Sequence, residues 1–586
     1  MKSVLRYIKA YRAEAILAPL FKLLEASFEL IVPLVIVRII DVGIAAGDIP
    51  YVLKMGGVLF LLAAVGLGFS VTAQYFAAKA AIGSATVLRS DLFAHIQGFS
   101  FATMDKLGVN TMITRMTSDV NQVQNGINMA LRLFLRSPFI VFGAAIAAFF
   151  IDVRSALIFV IVIPVLFVIV FAIVLGSIPM YKKVQSYLDK VLGITRENLT
   201  GARVIRAFGK EEWEREKFYE ANTVLTNMQK FVGRFSALLN PVTYVCINLA
   251  LIVLLWTGGM QVQTGTLTQG QVVALVNYMS QILVELIKLA NLCVTITKAV
   301  ACANRVADVL AIPVGEQGTL TAGVNPDGSS DITGGTDRDG QNAPAVEFRE
   351  VSFTYDGAGD EALTGLVVAA KKGETIGIIG GTGSVKSSLL NLIPRFYDVS
   401  KGSILVDGVD VRDLEVKDLR DRVVTVLQKA KLFRGTVAEN LRWGKADATE
   451  EEMWRALSIA QASEFVEQKE GKLEFTIEQN GRNLYGGQKQ RLSIARALIA
   501  EPEILILDDS ASALDFATDA ALRKALRENC KDMTVFVVSQ RASSIMHADR
   551  ILVMDDGCIV GNGTHEELLE TCEVYREIHE SQIQAN

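Results

Sequence analysis

Long apolar stretches recur through the first half of the chain, and polar connections of two lengths separate them. A helix satisfies its own backbone polar groups in lipid, so each stretch can cross a bilayer as a helix. The pattern predicts six membrane spans, at 16–40, 56–80, 134–151, 156–178, 240–258 and 272–297.

The connections differ in charge as well as in length. The long ones, near 81–133 and 179–239, are rich in Lys and Arg, whereas Arg154 is the only Lys or Arg in the short ones. Positively charged connections stay on the cytoplasmic side of a membrane. We therefore expect a multi-pass protein of the cell (plasma) membrane, embedded in the lipid bilayer, with cytoplasmic N- and C-termini.

The pattern changes in the second half of the chain. Residues 312–345 are mostly Gly, Asp, Asn, Thr and Ser, a composition typical of a flexible linker. Beyond them, apolar strands alternate with helical segments, as in an α/β domain. The predicted organisation is a transmembrane domain at 1–311, a linker at 312–345 and an α/β domain at 346–586.

Composition gives no support for nucleic-acid binding, a disulfide framework or a zinc site. The chain is 586 residues long and 51% hydrophobic, with a net charge of -5 and a mean hydropathy of +0.34. That charge gives no argument for nucleic acid as a partner. The six cysteines show no close-pair spacing, so neither a disulfide framework nor a zinc site is indicated.

Residues 380–387 form a phosphate-binding loop with one departure from the general pattern. Gly380, Lys386 and Ser387 match G-x-x-x-x-G-K-[ST], in which backbone N–H groups and Lys hold the phosphates and the hydroxyl holds Mg²⁺. Val385 stands where the second glycine belongs. A β-branched residue is costly where the backbone approaches phosphate at positive φ. Either the loop relaxes and still binds nucleotide, or Val385 closes it.

A second group of motifs follows at a regular spacing. Residues 484–488 read Leu-Tyr-Gly-Gly-Gln, residues 504–509 form an apolar strand ending in two aspartates, and residues 512–515 read Ser-Ala-Leu-Asp. Together with the phosphate loop, they resemble the ATP-binding cassette (ABC) family, whose signature is LSGGQ. The resemblance implies an exporter half-transporter: a helical transmembrane domain with long cytoplasmic extensions, followed by an α/β P-loop nucleotide-binding domain that hydrolyses ATP with Mg²⁺.

The resemblance also implies roles for individual residues. Tyr355 matches the aromatic residue that stacks on adenine, and Gln428 matches the loop glutamine that reaches Mg²⁺ and the membrane domain. Asp508 matches the carboxylate that supports Mg²⁺ beside Ser387. The implied metal ligands are Ser387, Gln428 and Asp508. The implied nucleotide-binding residues are Tyr355, Gly380, Thr382, Gly383, Ser384, Val385, Lys386, Ser387, Ser388 and Gln428.

Three residues depart from the family pattern at positions that serve hydrolysis. Asp509 replaces the Glu that polarises the attacking water, so its carboxylate is withdrawn by about 1 Å, a displacement that can cost ~10²-fold in rate. Gln540 replaces a His that holds the γ-phosphate, and an amide cannot be cationic. Tyr485 replaces the signature Ser. The signature residues that would face the partner's ATP are Tyr485, Gly486, Gly487 and Gln488.

ABC domains act as head-to-tail pairs, and this chain carries a single cassette. The paired loss at Asp509 and Gln540 resembles the degenerate subunit of bacterial heterodimeric multidrug exporters. We therefore expect a competent second half-transporter as partner and small amphipathic molecules, drugs or lipids, as cargo. Two alternatives stay open: an ATP-gated regulatory or channel-like subunit with little turnover, and an importer that uses the exporter fold.

Two further features concern the membrane half. The resemblance places coupling regions at 115–120 and 201–208. Charged residues also fall inside the predicted spans, and such groups usually face a cavity or a partner. Contact with cargo, mutual salt bridges and snorkelling are all compatible with their spacing. These residues are Lys22, Glu25, Glu29, Glu285 and Lys288.

Overall fold

The computed structural model describes residues 6–315, 343–381, 383–510 and 512–583. These residues form two compact units, the first running to Gly98 and from Gly108 to Pro313, the second comprising Phe99–Leu107 and the chain from Val314 onward. Most of the predicted linker and Thr382 of the phosphate loop lie outside the described residues.

The first unit is entirely helical in its described part. After a 3₁₀ turn at Arg6–Tyr11, π-helical segments at Ile39–Ile44 and Arg115–Asp119 interrupt the helices. The helices are α1 (Arg12–Arg38), α2 (Ile49–Gln97), α4 (Val109–Thr114), α5 (Val120–Leu133), α6 (Arg136–Ile151), α7 (Val153–Thr200), α8 (Ala202–Ala207), α9 (Glu211–Ala237), α10 (Leu239–Gln263) and α11 (Gln269–Ala311). Helix α3 (Phe101–Leu107) belongs to the second unit.

The short connections of the first unit are turns that begin the next helix with a side-chain cap. Asp48 accepts a hydrogen bond from the Tyr51 N–H at 3.0 Å, and Asp152 accepts one from the Ser155 N–H at 2.7 Å. Thr268 and Gln271 form a reciprocal capping box at the start of α11. Such caps satisfy N–H groups that a helix leaves unpaired at its N-terminus.

Five helices of the described chain are long and apolar enough to span a membrane. They are Ile49–Gln97, Val109–Ile151, Val153–Thr200, Glu211–Gln263 and Gln269–Ala311. They contain five of the six predicted spans. The first predicted span lies on α1, which is helical but is not among the five, since Lys22, Glu25 and Glu29 interrupt its apolar stretch.

The charged residues of the predicted spans pair with one another. Arg136, which the sequence analysis did not single out, donates to Glu285 and to Glu29, each at 2.7 Å. Ser137 and Lys288 also donate to Glu285, at 2.7 and 2.8 Å. Arg136 is 7% exposed and Glu285 2%. Of the possibilities left open, mutual pairing is the one observed.

A second ion pair lies on α1 itself. Lys22 pairs with Glu25 and donates to Ser70 Oγ at 3.1 Å. Lys22 is itself buried. Both charges of the pair are therefore compensated within the first unit, which reduces the cost of placing them among apolar helices.

The first predicted coupling region, 115–120, lies in the first unit. Residues Arg115–Asp119 are a π-helical part of a long helical stretch, where the Asp119 carboxylate receives Arg115 at 2.8 Å and Arg305 at 2.6 Å. The segment of this half of the sequence that belongs to the second unit is α3. The second region, 201–208, does form a short helix, α8, whose Val204 is exposed.

The second unit contains an α/β core with three sheets. Its strands are β1 (Val346–Phe353), β2 (Leu363–Ala370), β3 (Thr375–Gly380), β4 (Lys401–Val406), β5 (Val409–Asp410), β6 (Val423–Val426), β7 (Gly435–Thr436), β8 (Thr476–Ile477), β9 (Ile504–Asp508), β10 (Thr534–Val538), β11 (Arg550–Asp555) and β12 (Cys558–Gly563). The main sheet has the order β12-β11-β3-β10-β9-β6, and only β12 is antiparallel. A four-stranded antiparallel sheet has the order β2-β1-β4-β5.

Helices cover these sheets and complete the apolar core. They are α12 (Lys386–Leu392), α13 (Val416–Arg422), α14 (Val437–Leu441), α15 (Glu450–Ile459), α16 (Ser463–Glu467), α17 (Gly486–Leu498), α18 (Phe516–Asn529), α19 (His565–Thr571) and α20 (Glu573–Ile583). The parallel strands of the main sheet are mostly apolar, as expected for strands buried on both faces.

Helix α3 packs on the surface of the second unit. The Phe101 and Phe396 rings stack with centroids 4.2 Å apart, and the Arg420 guanidinium lies 5.2 Å from the Phe396 ring centroid. The Asp105 carboxylate accepts from the Tyr397 hydroxyl at 2.6 Å. These contacts join a segment of the transmembrane half of the sequence to the cassette.

Candidate nucleotide site

The site residues meet at one edge of the main sheet. In the parallel register, Val538 of β10 lies beside Ile378 of β3 and beside Asp508 of β9. Val426 of β6 lies beside Leu507. The carboxyl ends of these strands therefore coincide, and the phosphate loop, Asp509, Gln428 and Gln540 all follow directly from them. This edge is where open α/β sheets bind ligands.

Lys386 turns back onto the phosphate loop. Its Nζ donates to the carbonyls of Gly380 and Gly381 at 2.9 and 2.8 Å and to Ser384 Oγ at 3.0 Å. The side chain is 8% exposed, and burial lowers the pKa of its ammonium group, against the attraction of Asp509 and Asp508. Within the described chain Lys386 forms no ion pair. A buried cation without an anionic partner fits a phosphate group.

Two residues in the described part of the phosphate loop, Gly383 and Val385, have positive φ. Val385 lies at φ 60°, in the left-handed region, and Gly383 lies at φ 95°. The Val385 side chain packs against the apolar core beneath the loop. Gly380 has no room for a side chain, since a Cβ there would lie 2.1 Å from the Met554 carbonyl oxygen. The loop thus accommodates valine in a conformation that favours glycine, at a cost of roughly 1–3 kcal/mol.

Ser387 and Asp508 form a pair suited to Mg²⁺. Ser387 Oγ donates to Asp508 Oδ1 at 2.8 Å. Burial raises the pKa of the Asp508 carboxyl and the nearby Asp509 adds to the effect, while the Ser387 hydrogen bond opposes it. A hydroxyl and a carboxylate are oxygen ligands of the kind Mg²⁺ takes beside nucleotide phosphates. Ser387 and Asp508 would hold the ion. Gln428, whose Nε2 lies 3.2 Å from the neighbouring Asp509 Oδ2, is close enough to add a ligand.

Asp509 lies between two amide side chains. Its Oδ2 accepts from Gln428 Nε2 at 3.2 Å and from Gln540 Nε2 at 3.4 Å. Asp509 is 8% exposed and has φ 44°, and burial raises the pKa of its carboxyl. The structure therefore brings together the two residues whose identities depart from the family pattern for hydrolysis. Neither amide can supply a positive charge there.

The predicted adenine-stacking residue also reaches the phosphate loop helix. The Tyr355 hydroxyl lies 2.6 Å from Ser388 Oγ, and its ring is partly exposed. Tyr397 packs edge-on against it with centroids 5.5 Å apart, a neighbour that the sequence analysis missed. Burial and Asp105 raise the pKa of the Tyr397 hydroxyl. No local motif marks Tyr397, because its partners lie far away in sequence.

The signature residues stand at the start of α17. Tyr485 is 80% exposed, and its backbone N–H donates to Gln488 Oε1 at 3.1 Å. A Cβ on Gly487 would lie 3.0 Å from the Ala513 carbonyl oxygen, while Gly486 has more room. Among the described residues, no hydrogen bond joins the signature to the phosphate loop. The phenol is therefore free to face outward from the helix N-terminus.

Two family models match the chain. The model described as "ABC transporter transmembrane region" matches residues 15–286, and the model described as "ABC transporter" matches residues 363–512. The match boundaries fall in the two halves that the hydropathy pattern distinguishes.

Several curated proteins are similar to the chain over nearly its whole length. An uncharacterized ABC transporter ATP-binding protein of Mycobacterium tuberculosis (strain ATCC 25618 / H37Rv) is 36% identical over 98% of this chain and 97% of its own. A Bacillus subtilis (strain 168) ATP-binding/permease protein, provisionally named for multidrug export, is 32% identical over 99% of this chain and 98% of its own. An ATP-dependent lipid A-core flippase of Desulfotalea psychrophila is 32% identical over 82% of each chain.

A solved structure shares the fold. A bacterial Atm1-family ABC exporter with ATP bound superposes with a TM-score of 0.78 at 22% identity, covering 98% of each chain. At that identity the likeness concerns the fold. It agrees with the exporter architecture predicted from the spans and motifs.

Proposed function

Because the chain belongs to the ABC transporter family, as a multi-pass membrane half-transporter of the exporter type, we propose that it supplies the slow ATPase site of a heterodimeric exporter. A second half-transporter with Glu and His at the positions of Asp509 and Gln540 would supply the fast site. Binding would be retained at this chain's own site, and turnover there would be slow.

The geometry around Asp509 carries this proposal. The binding groups are in place: Lys386 lacks an anionic partner, and Ser387 and Asp508 lie 2.8 Å apart. The groups for hydrolysis are altered: a short carboxylate receives the Gln540 amide at 3.4 Å, and an amide donates a hydrogen bond but carries no positive charge. Losing one preorganised charge-stabilising contact costs ~10²–10³-fold in rate. A site built this way holds ATP and Mg²⁺ without prompt cleavage.

Amphipathic molecules, drugs or lipids, are the proposed cargo. The names of two relatives point to multidrug export and to lipid A-core flipping. Within the transmembrane unit the buried charges pair with one another, as in the Arg136–Glu285 contact. Their pairing leaves mainly apolar helix surfaces for cargo, and such surfaces suit a molecule with an apolar body.

Affinity purification of the full chain from its native membrane tests the assembly. We expect a 1:1 complex with a different ABC half-transporter, and intact ATP rather than ADP recovered from this subunit after nucleotide trapping. Native mass spectrometry that shows only a homodimer with brisk ATP turnover would contradict the proposal.

A second candidate function is an ATP-gated regulatory or channel-like subunit. The exposed Tyr485 at the signature favours it, because that residue would alter the partner's site as well. Transport assays with inside-out vesicles separate the two functions. ATP-dependent accumulation of cargo supports the exporter, its ATP-dependent loss from preloaded vesicles supports an importer, and passive flux opened by ATP supports the channel.

A further inference from the structure

A glutamine on the last helix is bonded to the loop that carries Gln540. Gln582 of α20 accepts a hydrogen bond from the Ala542 N–H through Oε1 at 2.8 Å. Its Nε2 donates to the Gln540 carbonyl oxygen at 2.7 Å. One side-chain amide thus satisfies a backbone acceptor and a backbone donor two residues apart.

These two bonds add to the other hydrogen bonds that hold the loop. Ser539 N–H continues the sheet by donating to the Ile378 carbonyl at 3.1 Å. The Arg541 N–H donates to Ser539 Oγ at 3.0 Å. In the described chain, the Gln540 carbonyl accepts no other hydrogen bond and the Ala542 N–H donates no other. The main-chain position of Gln540 is therefore set by the sheet on one side and by Gln582 on the other.

The helix that carries Gln582 is held firmly. Tyr575 of α20 is fully buried in an apolar cluster with Ile379 and Ala542, and its hydroxyl lies 2.7 Å from His565 Nδ1. Ile379 precedes the phosphate loop, and Ala542 follows the Gln540 loop. The anchor of α20 is thus built from the same strand ends that carry the site.

We propose that Gln582 is a positioning residue for the nucleotide site, acting through the Gln540 loop. It fixes the backbone of Gln540 so that the side-chain amide points at Asp509. An amide donates to the Gln540 carbonyl and accepts from the Ala542 N–H at the same time, whereas a carboxylate accepts but does not donate and an apolar side chain does neither. This inference rests on the proposed function, because it concerns how long the site retains ATP.

The test is a double-mutant cycle on the purified full-length complex. Labelled ATP is bound, and its half-life on this subunit is measured for the wild type, Gln582→Met, Gln540→Ala and the double variant. Gln582→Glu keeps the acceptor for Ala542 and loses the donor to Gln540. Glu580→Met, at an exposed position on the same helix, is the control.

We expect Gln582→Met and Gln582→Glu each to shorten ATP retention about two- to tenfold, the effect of one ordinary hydrogen bond. Their melting temperatures and those of the control should match the wild type. The effect of Gln582→Met should vanish in the Gln540→Ala background, which a merely structural role would not produce.

Three results would overturn the role of Gln582: unchanged retention in both variants, a loss that persists in the Gln540→Ala background, or a loss that follows the melting temperature. Prompt ATP turnover in the wild type would instead contradict the proposed function. The same cycle measured on the hydrolysis rate would then still support or overturn the inference about Gln582.

Discussion

Replacing Asp509 by Glu and Gln540 by His together should turn the slow site into a hydrolytic one. The added methylene extends the carboxylate by about 1 Å, and errors of that size cost ~10²-fold. A histidine at 540 restores a group that can carry positive charge, worth ~10²–10³-fold. The binding residues Lys386, Ser387 and Asp508 are unchanged.

The structure limits how these gains combine. Gln540 Nε2 lies 3.4 Å from Asp509 Oδ2, so the two positions are in contact. Residues in contact couple, and their effects do not simply add as free energies. We therefore expect the double variant to gain roughly 10³-fold in rate, less than the product of the two separate gains.

The assay follows ADP formation on this subunit in a complex whose partner has its own catalytic carboxylate replaced by an amide. Asp509→Asn keeps the side-chain length, and we expect no gain from it. If the double variant binds ATP normally and stays as slow as the wild type, positions 509 and 540 do not limit the site. Our explanation of its slow turnover would then be refuted.

Four further predictions address other parts of the molecule. Val385→Gly should raise ATP affinity at this chain's site, and Val385→Ala should be intermediate, because each change removes side-chain atoms from a residue with left-handed backbone. Equal affinities of the three proteins in equilibrium binding would show that the loop has already adapted to valine. Tyr485→Ser should raise the ATPase rate of the complex, and by capping α17 it should also raise the free energy of unfolding by about 1 kcal/mol. Tyr485→Ala, which has no capping oxygen, should raise neither quantity. Arg136→Met should lower the free energy of unfolding by roughly 1–3 kcal/mol, because buried Glu285 loses a charged hydrogen bond and keeps only Lys288 and Ser137 as donors. The control Arg154→Met, at an exposed position, should change the melting temperature little. Burial raises the pKa of Asp508 and of Asp509, so these two carboxyls contribute most to nucleotide-free stability below the ordinary aspartate pKa, near 4, and that contribution is lost as pH rises through the raised folded-state pKa values. Mg²⁺ with ATP should therefore stabilise the chain more at pH 7 than at pH 5, which thermal unfolding at both pH values would test.

The sequence by itself determined the features that depend on contiguous backbone. The phosphate loop, the signature and the β9 strand each need particular residue types at fixed short spacings, because a turn, a helix start or a strand end is a local structure. Val385 illustrates this: its φ of 60° follows from occupying a glycine position. Long apolar stretches likewise predicted six spans, and five of them lie on described helices that are long and apolar enough to cross a membrane.

Tertiary structure decided the contacts between residues far apart in the chain. Periodicity placed Glu285 in a span, but only packing of α6 against α11 showed that Arg136 is its partner. Only the fold shows that Phe101–Leu107 belongs to the second unit and Arg115–Asp119 to the first, because both are short polar-apolar stretches and their contacts with distant residues tell them apart. Gln582 is a further example: a partly exposed amide near the end of the last helix carries no local signal, and its role arises because the fold brings it to the Gln540 loop.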